Sequence, residues 1–169
     1  LRTVPGDVVN TRIVLRAGLL VLAATQAFVG LWALPAPRSF YDDFPTPGRS
    51  WVSALPPYNE HLVRDVGALS LALTVLLVAA AIWLDRRLVA ITLVVFGVWT
   101  VPHVVFHSFH LHGFSALDAT LQTIGFAIEV VVALALAVVL ARSGDVLSAR
   151  PFTRPNDVAA TRRTRRRMR

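Results

Sequence analysis

Four long apolar runs, separated by short polar interruptions, dominate the chain. They cover residues 13–34, 62–84, 88–111 and 119–141. Each reaches the roughly 20 residues that a helix needs to cross a hydrocarbon core. Backbone N–H and C=O groups find no water inside lipid, so runs of this length predict helices. The expected fold class is an all-α membrane protein, a four-transmembrane-helix bundle. Residues 85–87, "DRR", predict a tight turn between the second and third spans. Residues 112–118, "HGFSALD", predict another short connection, with Gly113 as a helix stop. The connection 35–61 is long and holds six prolines, which predicts an irregular cap with polyproline-like pieces. Its aromatic residues suit the headgroup level.

Composition sharpens this picture in two ways. The chain has 169 residues, 55% of them hydrophobic, and no cysteine, so disulfides, thiolate metal sites, iron–sulfur clusters and covalent haem attachment are excluded. The net charge of +7 comes from basic residues that are all arginine, six of them in the last eight positions, "RRTRRRMR". Beside a span, that cluster is expected to meet anionic lipid or to fix topology. No recognition module accompanies it, so nucleic acid is not an expected partner.

Arginine placement also predicts orientation. Arg2, Arg12 and Arg16 flank the first span, Arg86 and Arg87 follow the second, and Arg142, Arg150 and Arg154 follow the fourth. The other two connections hold only Arg38 and Arg49, offset by Asp42, Asp43 and Glu60. Both termini are therefore expected in the cytoplasm, with the chain a multi-pass protein of the cytoplasmic (inner) membrane and the proline-rich cap outside. Residues 1–12 lack the apolar core of a signal peptide, so the first span is expected to be retained. Residues 142–169 are expected to form a disordered basic tail.

Against this apolar background the polar residues stand out. The stretch 101–118, "VPHVVFHSFHLHGFSALD", holds four of the five histidines. On a continuous helix His103, His107 and His110 share one face, within about 60°. In the fourth span Asp118, Gln122, Gly125 and Glu129 make a second stripe, with Glu129 ~16 Å along the helix from Asp118 and near mid-membrane. His61 and Asp65 share a face at the start of the second span, and the first offers Thr25 and Gln26. An ionisable group at the centre of a span costs roughly 3 kcal/mol, so such groups are expected to face a common interior cavity.

Histidines at i and i+4 can reach one ion, and carboxylates from facing helices can complete a shell. The expected metal ligands are His103 and His107, supported by His110, Glu129, His61 and Asp65. The ion would be Zn, Fe, Cu or Mn, and non-covalent haem is a further possibility. The plainer alternative has the rings bonding backbone and water around Pro102, and Glu129 neutral and hydrogen-bonded to Gln26 or Gln122. At the rim, Pro56, Pro57, Asn59 and Glu60 read as a helix start, and an Arg64–Asp65 or Arg64–Asp118 pair would lock it. Gly30, Gly67, Gly97 and Gly125 are expected to let helices approach closely. Nucleophilic and nucleotide-binding signatures are absent, and "HVVFH" lacks the glutamate of the zincin motif.

The length, four spans and arginine-only basic residues resemble those of small actinobacterial membrane proteins. The four-helix layout is similar to that of the broad DoxX-like group, in architecture and in no motif. Three functions follow as expectations. The first is an outward-facing His/carboxylate cavity binding a transition metal or haem. The others are a non-catalytic accessory subunit of a larger membrane complex, or homo-oligomer, and a proton-relay or small-solute transport protein.

Overall fold

The computed structural model describes residues 5–55 and 57–143, with side chains from residue 9 onward. The expectations for the tail beyond 143, including its disorder and its anionic-lipid contact, lie outside the described residues. So does Pro56. Among the described residues there are five helices and no strand: α1 Pro5–Ala33, α2 Pro37–Asp43, α3 Glu60–Trp83, α4 Arg86–Phe109 and α5 Ala116–Arg142. All but α2 are long and apolar enough to cross a membrane, so the chain is built as a multi-pass helical bundle.

Local chemistry sets the helix ends. The side chain of Asn59 accepts from Leu62 N at 3.2 Å, and that of Asp85 from Arg87 N and Leu88 N, both at 3.0 Å. Ser115 accepts from Asp118 N at 3.1 Å and donates to the Asp118 carboxylate at 2.6 Å, which locks the first turn of α5. Helix α3 ends on Leu84, whose φ of 49° is left-handed, and α4 begins two residues later. The "DRR" turn is thus even tighter than expected, because Arg86 and Arg87 already belong to α4. The proline-rich connection is less irregular than expected. Pro37 sits in the first turn of α2, where its missing N–H costs nothing.

The four long helices form a ring in which α1 packs on α3 and α5, and α4 packs on α3 and α5. The α1–α3 pair is the tightest. A Cβ added to Gly67 would lie 2.5 Å from Leu34 N, and one added to Gly30 would lie 2.7 Å from Leu71 Cγ. These two glycines do permit close approach. Gly97 and Gly125 do not: a Cβ on either would meet nothing within 4 Å. Gly97, in α4, borders a groove of about 430 Å³ between α4 and α5 that Ala90, Ala133 and Ala137 also line, and Gly125, in α5, borders a separate internal space.

Two apolar clusters result. The larger, at the arginine-rich end, joins Leu15, Leu19, Leu22, Leu77, Phe96 and Leu136. The smaller lies under the cap and joins Ala33, Phe40 and Val63, with Trp32, Phe44 and Val52 against them. Three arginines staple neighbouring elements by donating to carbonyls at or just past helix C-termini. Arg16 Nε reaches Ala81 O at 3.0 Å, Arg64 reaches Leu34 O at 2.6 Å, and Arg86 reaches Leu140 O at 2.7 Å. Carbonyls at a helix C-terminus have spare acceptor capacity, and the helix dipole favours a cation beside them; Leu140 O also accepts from Ser143 N and Oγ.

Candidate functional site

Between the two apolar clusters the bundle is hollow. A cavity of about 510 Å³ lies between all four long helices and beneath the cap. Helix α1 supplies Thr25 and Gln26, α4 supplies Thr100, His103 and His107, and α5 supplies Gln122, Gly125 and Glu129. The polar stripes of these three helices therefore meet, as their spacing predicts. The stripe on α3 does not. His61 and Asp65 lie on its outer surface, with side chains 87% and 60% exposed, in contact only with each other at 3.4 Å. The face that α3 turns inward carries Val63, Val66 and Ser70. The i, i+4 pairing of His61 and Asp65 is real, but it is on the wrong side of the helix.

His110 also departs from expectation. Helix α4 ends at Phe109, so the common histidine face stops at His107. The His110 ring stacks on Phe106 at 4.0 Å, its Nδ1 is 2.7 Å from Phe106 O, and it does not line the cavity. His103 and His107 remain adjacent, with ring centroids 4.6 Å apart. His103 stacks on Trp99 at 5.5 Å, and Phe126 lies edge-on to it at 5.3 Å. The Thr25 hydroxyl faces the Glu129 carboxyl.

The metal expectation is not supported. Among the described residues no group of three or more His, Asp or Glu side chains could hold a metal ion. With His61, Asp65 and His110 directed elsewhere, the cavity retains two imidazoles and one carboxyl, and Glu129 lies far along α5 from Gln122, which neighbours His107.

What distinguishes the cavity is a set of polar atoms with nothing to bond. Gln26 Oε1, Ser70 Oγ, Thr100 Oγ1, His107 Nδ1 and Gln122 Oε1 are buried without a hydrogen-bond partner, and all five residues line this one space. Gln26, Ser70, Thr100 and Gln122 are each at most 4% exposed. The two hydroxyls are informative. Thr74, Thr92, Thr120 and Thr123 each donate to the carbonyl four residues back, at 2.7–2.8 Å. That is the ordinary fate of a helix hydroxyl in an apolar setting. Ser70 and Thr100 lack that bond and face the cavity. Neither was singled out by sequence, because a serine or threonine in a span gives no sign of whether it will bond back.

The cap closes the cavity from above. Phe28, Trp32, Phe40, Phe44 and Trp51 form a chain of ring contacts, with centroids between 4.7 and 6.2 Å apart along it. Phe40, Phe44, Trp51, Val52 and Leu55 roof the space. The cap is pinned to α5 at one carboxylate: Asp118 Oδ1 accepts from Arg49 at 2.6 Å and from Trp51 Nε1 at 2.8 Å. The rim pairs thus differ from those expected, for Arg64 binds Glu60 at 2.8 Å.

The class defined by this fold and site is a four-span helical membrane protein with a capped internal cavity. No family model, curated protein or solved structure matches the chain.

Proposed function

We propose that the chain binds a small, largely apolar molecule in the cavity, with the cap side facing outward, as the arginine distribution favours. The observation that carries this reading is a cavity of about 510 Å³ whose wall is mostly aliphatic and aromatic and is bordered by the polar residues Gln26, Ser70, Thr100, His107, Gln122 and Glu129. Each buried polar group left unsatisfied costs about 1–3 kcal/mol. His107 and Gln122 lie within bonding reach of each other, which leaves Gln26, Ser70 and Thr100 as groups that an occupant or water would serve. Water can serve the polar residues, which offer the 2–4 partners it needs, but it does not match the larger apolar part of the wall. A molecule with an apolar body and a few polar groups satisfies both kinds of surface, and the cavity volume falls within the usual range for such sites. Phe28, Leu62 and Ile128 line the cavity and are also 49%, 61% and 53% exposed on the bundle surface. The wall there is one side chain thick, which favours entry from the bilayer.

Gly125 provides the test. It lines the cavity, and a Cβ added there meets no neighbour within 4 Å. Gly125→Leu should fill the space without disturbing the backbone. Protein purified in mild detergent is titrated with a neutral apolar dye that fluoresces on binding, and its co-purified small molecules are extracted for mass spectrometry. The native chain should bind and the variant should not, with helicity and melting temperature preserved. Equal binding by both would refute the reading.

A further inference from the structure

We propose that the molecule held in this cavity is a lipophilic organic cation, a protonated amine or a quaternary onium ion, paired with Glu129. The inference rests on reading the cavity as a ligand site and names the chemistry of its occupant.

Three observations carry it. The first is charge. Among the described residues Glu129 is the only acidic one lining the cavity, and no arginine lines it. The only basic side chains there are the imidazoles of His103 and His107. The Thr25 hydroxyl, which lies beside the Glu129 carboxyl, is uncharged and supplies no counter-ion. A carboxylate near mid-membrane with no cation beside it costs roughly 3 kcal/mol, and an occupant that brings the positive charge removes that cost. An anionic occupant would add to it.

The second observation is the polarity of the unpartnered atoms. Two of them, Gln26 Oε1 and Gln122 Oε1, are amide oxygens, which only accept. The hydroxyls of Ser70 and Thr100 can also accept. Together with Glu129 they make a partly negative interior that favours a donor or a cation.

The third is the wall. Trp51, Trp99, Phe28, Phe44 and Phe126 all border the space. Aromatic faces attract cations by up to about 2 kcal/mol when both are desolvated. They also solvate the apolar arms of an onium ion, which an inorganic cation lacks.

Tetraphenylphosphonium and tetraphenylborate provide the test, because they have nearly the same size and shape and opposite charge. Binding of each to the full chain in detergent is followed by tryptophan quenching, with the Gly125→Leu protein as background. The cation should bind at least about tenfold more tightly than the anion. Glu129→Gln, an isosteric change, should erase that preference, and Glu129→Asp should keep part of it. Saturable binding of both ions with equal affinity, or a preference untouched in Glu129→Gln, would overturn the cation assignment and leave the cavity reading standing. No binding of either ion above the Gly125→Leu background would overturn both.

Discussion

Replacing Gly67 with alanine should damage this protein more than any other single added methyl group. The new Cβ would lie 2.5 Å from Leu34 N, 2.9 Å from Leu34 Cα and 3.0 Å from Ala33 C. Ordinary contact between such atoms is about 3.5 Å or more, so the end of α1 must retreat by roughly 1 Å. The atoms in the way are backbone and cannot rotate aside. Overpacking of this kind costs about 1–3 kcal/mol. The same movement stretches the bond from Arg64 to Leu34 O, now 2.6 Å, and a charge-assisted hydrogen bond is worth about 1.5–3 kcal/mol. Alanine in place of glycine returns about 1 kcal/mol of helix propensity. The net expectation is a loss of about 2–4 kcal/mol. Gly97→Ala is the control: its Cβ meets nothing, so only the propensity gain remains and the variant should be neutral or slightly stabilised. Reversible unfolding in mixed detergent micelles, followed by far-UV circular dichroism, compares the two directly. Equal midpoints for Gly67→Ala and Gly97→Ala would show that α1 and α3 do not approach as closely as described.

The other expectations are briefer. Arg86→Gln should cost about 0.5–1.5 kcal/mol in the same assay, because it removes one donor from Leu140 O while Ser143 N and Oγ still donate to that oxygen, whereas Arg38→Gln, on an exposed ion pair, should change little. His61→Ala and Asp65→Ala should leave dye binding unchanged and stability within about 0.5 kcal/mol, because both side chains lie outside the cavity. Asp118→Asn weakens the pin between cap and α5, so dye should enter and leave faster in stopped-flow measurements, and rates equal to those of the native chain would separate the cap from access. Elemental mass spectrometry of the purified chain should find no stoichiometric Zn, Fe, Cu or Mn, and its visible spectrum no haem band. A stoichiometric metal lost in His103→Ala/His107→Ala protein would restore the metal reading and displace the organic occupant.

The bundle was legible in the sequence because hydropathy over twenty residues is a strong signal and lipid leaves the backbone little choice. The convergence of α1, α4 and α5 was legible too, since Gln26, His103, His107, Gln122 and Glu129 are polar residues that an apolar helix must direct inward. The same rule failed for His61 and Asp65. They sit in the first turns of α3, at the end of the bundle, where a polar pair can face outward without cost. His110 failed for a different reason, because helical spacing says nothing about where the helix stops. The arginine staples were hidden as well. Arg16 and Arg86 register in the sequence as charges that orient a chain across lipid and Arg64 as a partner for a rim aspartate, and nothing in their spacing points to a carbonyl on another element.

The glycines explain why there is a cavity at all. In an apolar bundle small residues ordinarily draw helices together, and Gly30 and Gly67 do so between α1 and α3. Gly97 and Gly125 belong to the other pair, where nothing closes over them. The difference lies in their neighbours. Trp99, His103 and Phe126 line the cavity beside Gly125 and pack ring against ring, so the space there is bordered by large aromatic groups. A methyl group at position 125 would meet no neighbour, and alanine there would bring the usual gain over glycine, about 0.5–1 kcal/mol. The chain forgoes that gain on the one surface where Gln26, Ser70 and Thr100 also go unbonded. Packing alone gives no reason for that combination. A space kept open for an occupant does.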